Sequence, residues 1–149
     1  MKKLALLLLI ITISMLSAAC SSASKVEIDV DQCAKWIADS GYMDDYDFVD
    51  DWAVTLDDSG TISMTIVVKD GTDPDRALQL ADGLVRQVSA AACNQSDDLT
   101  GPTGDSYGTL YDSYPAMIGV SEASKTGDTK QWLILHSIAN SSGPKVTLQ

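Results

Sequence analysis

The chain has 149 residues, with 21 Asp and Glu against 10 Lys and Arg, a net charge of −11 at pH 7 and 45% hydrophobic residues. That length holds one ordinary domain with its own core. The charge repels phosphate backbones and so excludes nucleic acid as a partner, while a basic partner or a cation fits it.

The first segment reads MKKLALLLLIITISMLSAAC. Lys2 and Lys3 form a positive n-region, and Leu4 to Leu16 form an almost unbroken apolar run. The run is shorter than the about 20 residues that cross a bilayer and has the proportions of a secretory h-region. No twin arginine precedes it, which indicates the general export route. Small residues follow and end on a cysteine, Ser17-Ala18-Ala19-Cys20. This order resembles the lipobox of bacterial lipoproteins, with Ser17 where the family usually has Leu. The resemblance implies a signal peptide over residues 1–19 and cleavage before Cys20. It also implies diacylglycerol in thioether linkage and an N-acyl chain such as palmitate, both on Cys20. Two or more acyl chains anchor a protein stably. The implied location is the extracytoplasmic face of a bacterial cell membrane. The implied partner is the membrane, through the lipid; the acidic charge adds an envelope protein or a basic ligand as the expected partner. Loss of Lys2 and Lys3 with the signal leaves eight basic residues against 21 acidic ones, a net −13.

Residues 20–27 then comprise the lipidated Cys and a short tether, and residues 28–149 a single domain. An exported domain with two further cysteines, Cys33 and Cys93, reads as holding one disulfide. It would close a loop of about 60 residues, worth roughly 4 kcal/mol. A metal or redox pair is disfavoured by the absence of a CxxC spacing and by the presence of one histidine, His136.

Asp29 or Asp31 can cap a first helix that runs to about Ser40 and stops at Gly41. Val30, Cys33, Ala34, Ile37 and Ala38 share one face of it. After the acidic, aromatic segment GYMDDYDFVDD, DWAVTL and TISMTIVVK alternate with period two about Asp57-Asp58-Ser59-Gly60, which predicts a hairpin. Asp73 caps a second helix, Pro74 suits its first position, and Ala77, Leu80, Ala81, Leu84, Val88 and Ala91 form its stripe. Gly83 lies opposite that stripe and weakens the helix. A Gly/Asp/Ser/Thr loop leads to Tyr107, Tyr111 and Tyr114, then to a second predicted hairpin, AMIGVSEA and KQWLILHSIA, about Thr126-Gly127-Asp128. Trp132 to Leu135, apolar on both faces, predict a central strand, and the tail NSSGPKVTLQ an added edge strand. The expected fold is α+β: an antiparallel sheet of four or five strands from two hairpins, with two helices packed on one face, in the order helix, hairpin, helix, hairpin.

No nucleophile–base constellation is legible, and His136 falls in the strand pattern, in line with Trp132, Ile134 and Ile138. Asp44, Asp45, Asp47, Asp50 and Asp51 are the densest carboxylates; they read as a solvated acidic loop with no metal, and a divalent cation, which takes several oxygen ligands, is the alternative. The segment has neither the Gly nor the distal Glu of an EF-hand. Tyr42, Met43, Tyr46 and Phe48 in the same segment form the candidate contact loop, because aromatics supply contact area at interfaces. The three later tyrosines fit core packing or sugar stacking. The reading is therefore a lipid-anchored, non-catalytic binding or accessory module of the cell envelope. The alternative is a small extracytoplasmic enzyme that uses Asp carboxylates with a bound divalent cation.

Overall fold

The computed structural model describes residues 25–149. The expected signal peptide, Cys20 and the tether up to residue 24 lie outside the described residues. Among the described residues no helix is long and apolar enough to cross a membrane.

Helix α1 spans Val30–Asp39. Asp29 caps it, its carboxylate accepting from the Gln32 N–H at 3.0 Å, which satisfies one of the unpaired first-turn donors. Gly41 turns the chain out of the helix at φ +70°, a conformation that favours glycine. A 3-10 turn over Tyr42–Asp45 follows. Strands β1 (Val49–Leu56) and β2 (Ile62–Val68) then form the expected antiparallel hairpin. Its turn is fastened by Asp57, which accepts from the Thr61 N–H at 2.9 Å and the Ser59 hydroxyl at 2.5 Å. A bulge at Asp50 interrupts the register near the start of β1.

Helix α2 (Pro74–Cys93) begins as its sequence predicts, with Asp73 accepting from the Asp75 N–H at 2.8 Å and Pro74 at the first position. Its 20 residues rise about 30 Å, enough to carry the chain back along the whole sheet. After a single turn, α3 (Leu110–Ser113), strand β3 (Ala116–Glu122) enters beside β2 and runs parallel to it, with Ile62 opposite Ala116 and Val68 opposite Glu122. The exclusively antiparallel sheet is thereby corrected: the four strands lie in the order β1-β2-β3-β4 in a mixed sheet, because the helical return brings the chain back to the end where β2 started. β4 (Ile134–Ile138) pairs antiparallel with β3 after an 11-residue link that contains two 3-10 turns. It is an edge strand rather than a central one. Trp132 and Leu133 precede it, and the C-terminal tail forms no strand but is held beside β4 by the Gln149 N–H on Leu133 O at 3.0 Å.

Alternation along the strands separates two faces. Trp52, Ile66, Val120 and Ile134 form one row toward the helices, and Val54, Met64, Ile118 and His136 the next. α1 packs on β1, α2 on β2 and β3, and the two helices on each other, so their apolar stripes and these rows make a single core. α2 is buried well beyond its predicted stripe, at Val85, Ser89 and Ala92 as well. On the opposite face the rows are Ala53, Thr65, Gly119, Leu135 and Thr55, Ser63, Met117, Ser137. Among the described residues no helix covers them.

Candidate functional site

The expected contact loop becomes the wall of a groove. After Gly41 the 3-10 turn presents Met43 and Asp44, the chain extends through Tyr46 and Asp47, and β1 begins. Between this turn and the first half of β1 lies a groove of about 420 Å³. Met43, Asp44, Tyr46 and Asp47 line it from the loop, and Val49, Asp50, Asp51 and Trp52 from the strand. The bulge at Asp50 separates the two strand aspartates from regular alternation.

The four predicted aromatic and apolar contacts divide by depth. Met43 and Phe48 are buried in the core, whereas Tyr42 and Tyr46 are half-buried. Tyr46 packs edge-on against both Tyr42, at 5.5 Å between ring centroids, and Phe48, at 5.7 Å. The Tyr46 hydroxyl donates to the Tyr42 oxygen at 3.3 Å. Burial pushes the Tyr42 hydroxyl well above the ordinary tyrosine range. Tyr42 reaches its place because Gly83 of α2 has no side chain: a Cβ there would overlap the Tyr42 hydroxyl. The helix-weakening glycine is thus the socket of the aromatic turn.

The acids also divide. Asp47 is partly satisfied: Arg76 lies over the Phe48 ring at 4.4 Å and reaches the Asp47 carboxylate at 3.3 Å, while Lys69 donates to the Asp47 carbonyl at 2.6 Å. Asp51 accepts from the Trp52 N–H at 2.8 Å. Among the described residues no Lys, Arg or His stands within ion-pair distance of Asp44, Asp45, Asp50 or Asp51. These carboxylates do not converge either: among the described residues no three acidic, His or Cys side chains are arranged to hold a metal ion. Asp44, Asp45, Asp47, Asp50 and Asp51, the alternative cation ligands of this acidic segment, thus gather no three-ligand cluster among the described residues. The groove wall can attract an extended cationic group; it offers no converged acid–base pair.

The disulfide expected between Cys33 and Cys93 is not formed in this structure: both stand as free thiols, and the Cys33 sulfur accepts from the Gln95 amide instead. The Gln95 amide occupies the junction of α1 and α2. It accepts from the Asp29 N–H at 2.7 Å and donates to the Asp29 carbonyl at 2.9 Å and to the Cys33 sulfur at 3.1 Å. Burial, with the Asp29 charge adding to it, pushes the Cys33 thiol up to about 11, and burial raises Cys93 as well. Neither is an activated nucleophile.

The later tyrosines are core, not a stacking platform. Tyr107, Tyr111 and Tyr114 are all buried, and their hydroxyls donate to Asp82 at 2.5 Å, Val85 O at 2.6 Å and Val26 O at 2.8 Å. His136 is half-buried, its Nε2 3.1 Å from Pro144 O in the tail. A polar cluster that sequence reasoning missed surrounds Tyr107. Asp82 accepts from Arg86 at 2.7 Å, the Tyr107 oxygen accepts from the Val146 N–H at 2.9 Å, and Lys145 lies 4.3 Å from the ring centre. It ties the C-terminal tail to α2. Only the Asp82–Arg86 spacing of four was visible in advance.

No protein-family model, no curated protein and no solved structure matches the chain.

Proposed function

We propose that the chain is a lipid-anchored binding module of the bacterial envelope, held by acyl chains on Cys20 and engaging a basic segment of another envelope protein through the groove beside β1. The observation that carries the contact is the groove itself: Asp44, Asp50 and Asp51 line it with no ion-pair partner among the described residues, next to the half-buried Tyr46 and Trp52. A Lys- or Arg-bearing segment supplies the missing positive charge, and aromatic faces attract the same cations. The lipobox carries the anchor.

Two measurements test the halves separately. Metabolic labelling with a fatty acid is expected to mark the wild-type chain and to leave Cys20→Ala unmarked and unprocessed; normal maturation of that variant removes the anchor. Titration with a Lys/Arg-rich peptide, followed by fluorescence, is expected to show binding that weakens with salt, as exposed charges are screened beyond about 10 Å at 0.1 M. Asp50→Asn with Asp51→Asn is expected to lower that affinity about tenfold, equivalent to about 1.4 kcal/mol. Unchanged affinity in the double variant excludes the groove as the contact.

A further inference from the structure

The open face of the sheet differs in kind from the rest of this acidic molecule. Its two complete rows carry no charged side chain, and Asp51 stands at the outer end of the third. Met117 and Leu135 are 42% and 38% exposed there, although each sits on a strand that buries its other face. Trp132 lies on the bare backbone of Gly119, its ring in the space a Cβ would take. Its indole N–H is buried without a partner. Thr55, Ser63, Thr65 and Ser137 surround these groups with hydroxyls. Exposed Met117 and Leu135 among hydroxyl groups suit the boundary between hydrocarbon and headgroups.

We propose that this face docks on the surface of the bilayer that holds the anchor, an inference that rests on the lipidation of Cys20. Three observations select that occupant. The first is reach. Lys25 sits at the β1–β2 turn, its Nζ beside Gly60 and 3.9 Å from the Tyr114 ring centre. Five residue steps separate it from Cys20, at most about 18 Å of chain. The second is charge. With 21 acids on the chain, an approach by the acidic surface is opposed by anionic headgroups, and the open face is the side that presents none of that charge along its two complete rows. The third is area. Four strands about 4.8 Å apart and five residues of about 3.3 Å give a footprint of roughly 300 Å². A second copy needs about 800 Å² from each partner for a stable complex. A bilayer needs far less, because the anchor supplies the effective concentration.

The test uses the full lipidated chain in phosphatidylcholine vesicles whose acyl chains are brominated near the headgroup. The chain has three tryptophans, so Trp36→Phe with Trp52→Phe isolates Trp132, and Trp52→Phe with Trp132→Phe isolates Trp36 on the exposed side of α1. Trp132 emission is expected to be quenched at least twofold more than Trp36 emission. Met117→Asp with Leu135→Asp is expected to bring Trp132 quenching down to the Trp36 level while lipid labelling of Cys20 persists. The single exposed change Ser137→Asp, which leaves the core untouched, is expected to reduce it part of the way. Equal quenching of the two tryptophans overturns the docking and leaves the anchor standing. Protection of Trp132 that follows the protein-to-lipid ratio and ignores bromination also overturns it and assigns the face to a second copy. Absence of lipid label on the wild-type chain overturns the anchor, and the docking with it.

Discussion

Single residues set how closely the pieces of this molecule approach one another, and glycines mark the closest approaches. Gly108 has φ +91°, and a Cβ there would stand 2.7 Å from the Thr100 carbonyl, with the buried Ser89 hydroxyl closer still. Both the backbone conformation and the space therefore exclude a side chain. Gly108→Ala is expected to cost at least about 2 kcal/mol, from strain and overpacking together. Gly104, by contrast, has nothing within 4 Å and no positive φ, so Gly104→Ala is expected to stay within about 0.5 kcal/mol. Urea midpoints of the two variants check the contrast, and similar losses in both contradict it. The same scale shows what a sequence hides. Gly83 reads as a defect in α2, since helix propensity is a local quantity, whereas its use is to admit a tyrosine 41 positions earlier. Asp82 reads as a surface acid on a helix, yet it meets Tyr107 through a contact that no local pattern records.

At the scale of elements, local patterns were legible and the pairing between them was not. α2 starts at the Asp its sequence nominates and α1 at the first of its two candidates, and the β1–β2 hairpin follows its period-two pattern, because caps and alternation act within a few residues. The parallel pairing of β2 with β3 depends on how α2 lies across the sheet, which neither strand's pattern encodes. Of the candidate site, the aromatic and acidic composition was legible in residues 42–51. Its spread along a groove, which disperses the carboxylates instead of gathering them, depended on the bulge at Asp50. The link between α2 and the tail supports a prediction of its own. Burial raises the Asp82 carboxyl, but the bonds from Arg86 and Tyr107 outweigh it and hold the group below its ordinary range. A carboxyl depressed in the folded state stabilises above the ordinary carboxylate value of about 3.9, and that contribution disappears as pH falls through the folded value. Asp82→Asn is expected to melt below the wild type at pH 7, with the gap narrowing at pH 3. An equal gap in thermal melts at both pH values contradicts this role.

The whole molecule is stitched by its middle. β2 and β3 form the centre of the sheet, yet Ile62 and its partner Ala116 lie 54 positions apart in the chain. The core face of β2 closes only when β3 and β4 are in place, since α2 contacts both central strands. A chain that ends at Asn94 keeps α1, the first hairpin and α2 but leaves one side of β2 without a neighbour. It is expected to show no cooperative thermal transition by circular dichroism; a sharp transition would show that the first half is a domain by itself. The parallel crossover also imposes a schedule on synthesis. Chains emerge from their N-terminus, so about three-quarters of this one has emerged before β3, the strand that gives β2 its second neighbour, begins at Ala116. During that interval β2 offers an open edge and an apolar face to any neighbouring chain. A delay in synthesis after α2 has emerged is therefore the moment of greatest exposure to aggregation and proteolysis.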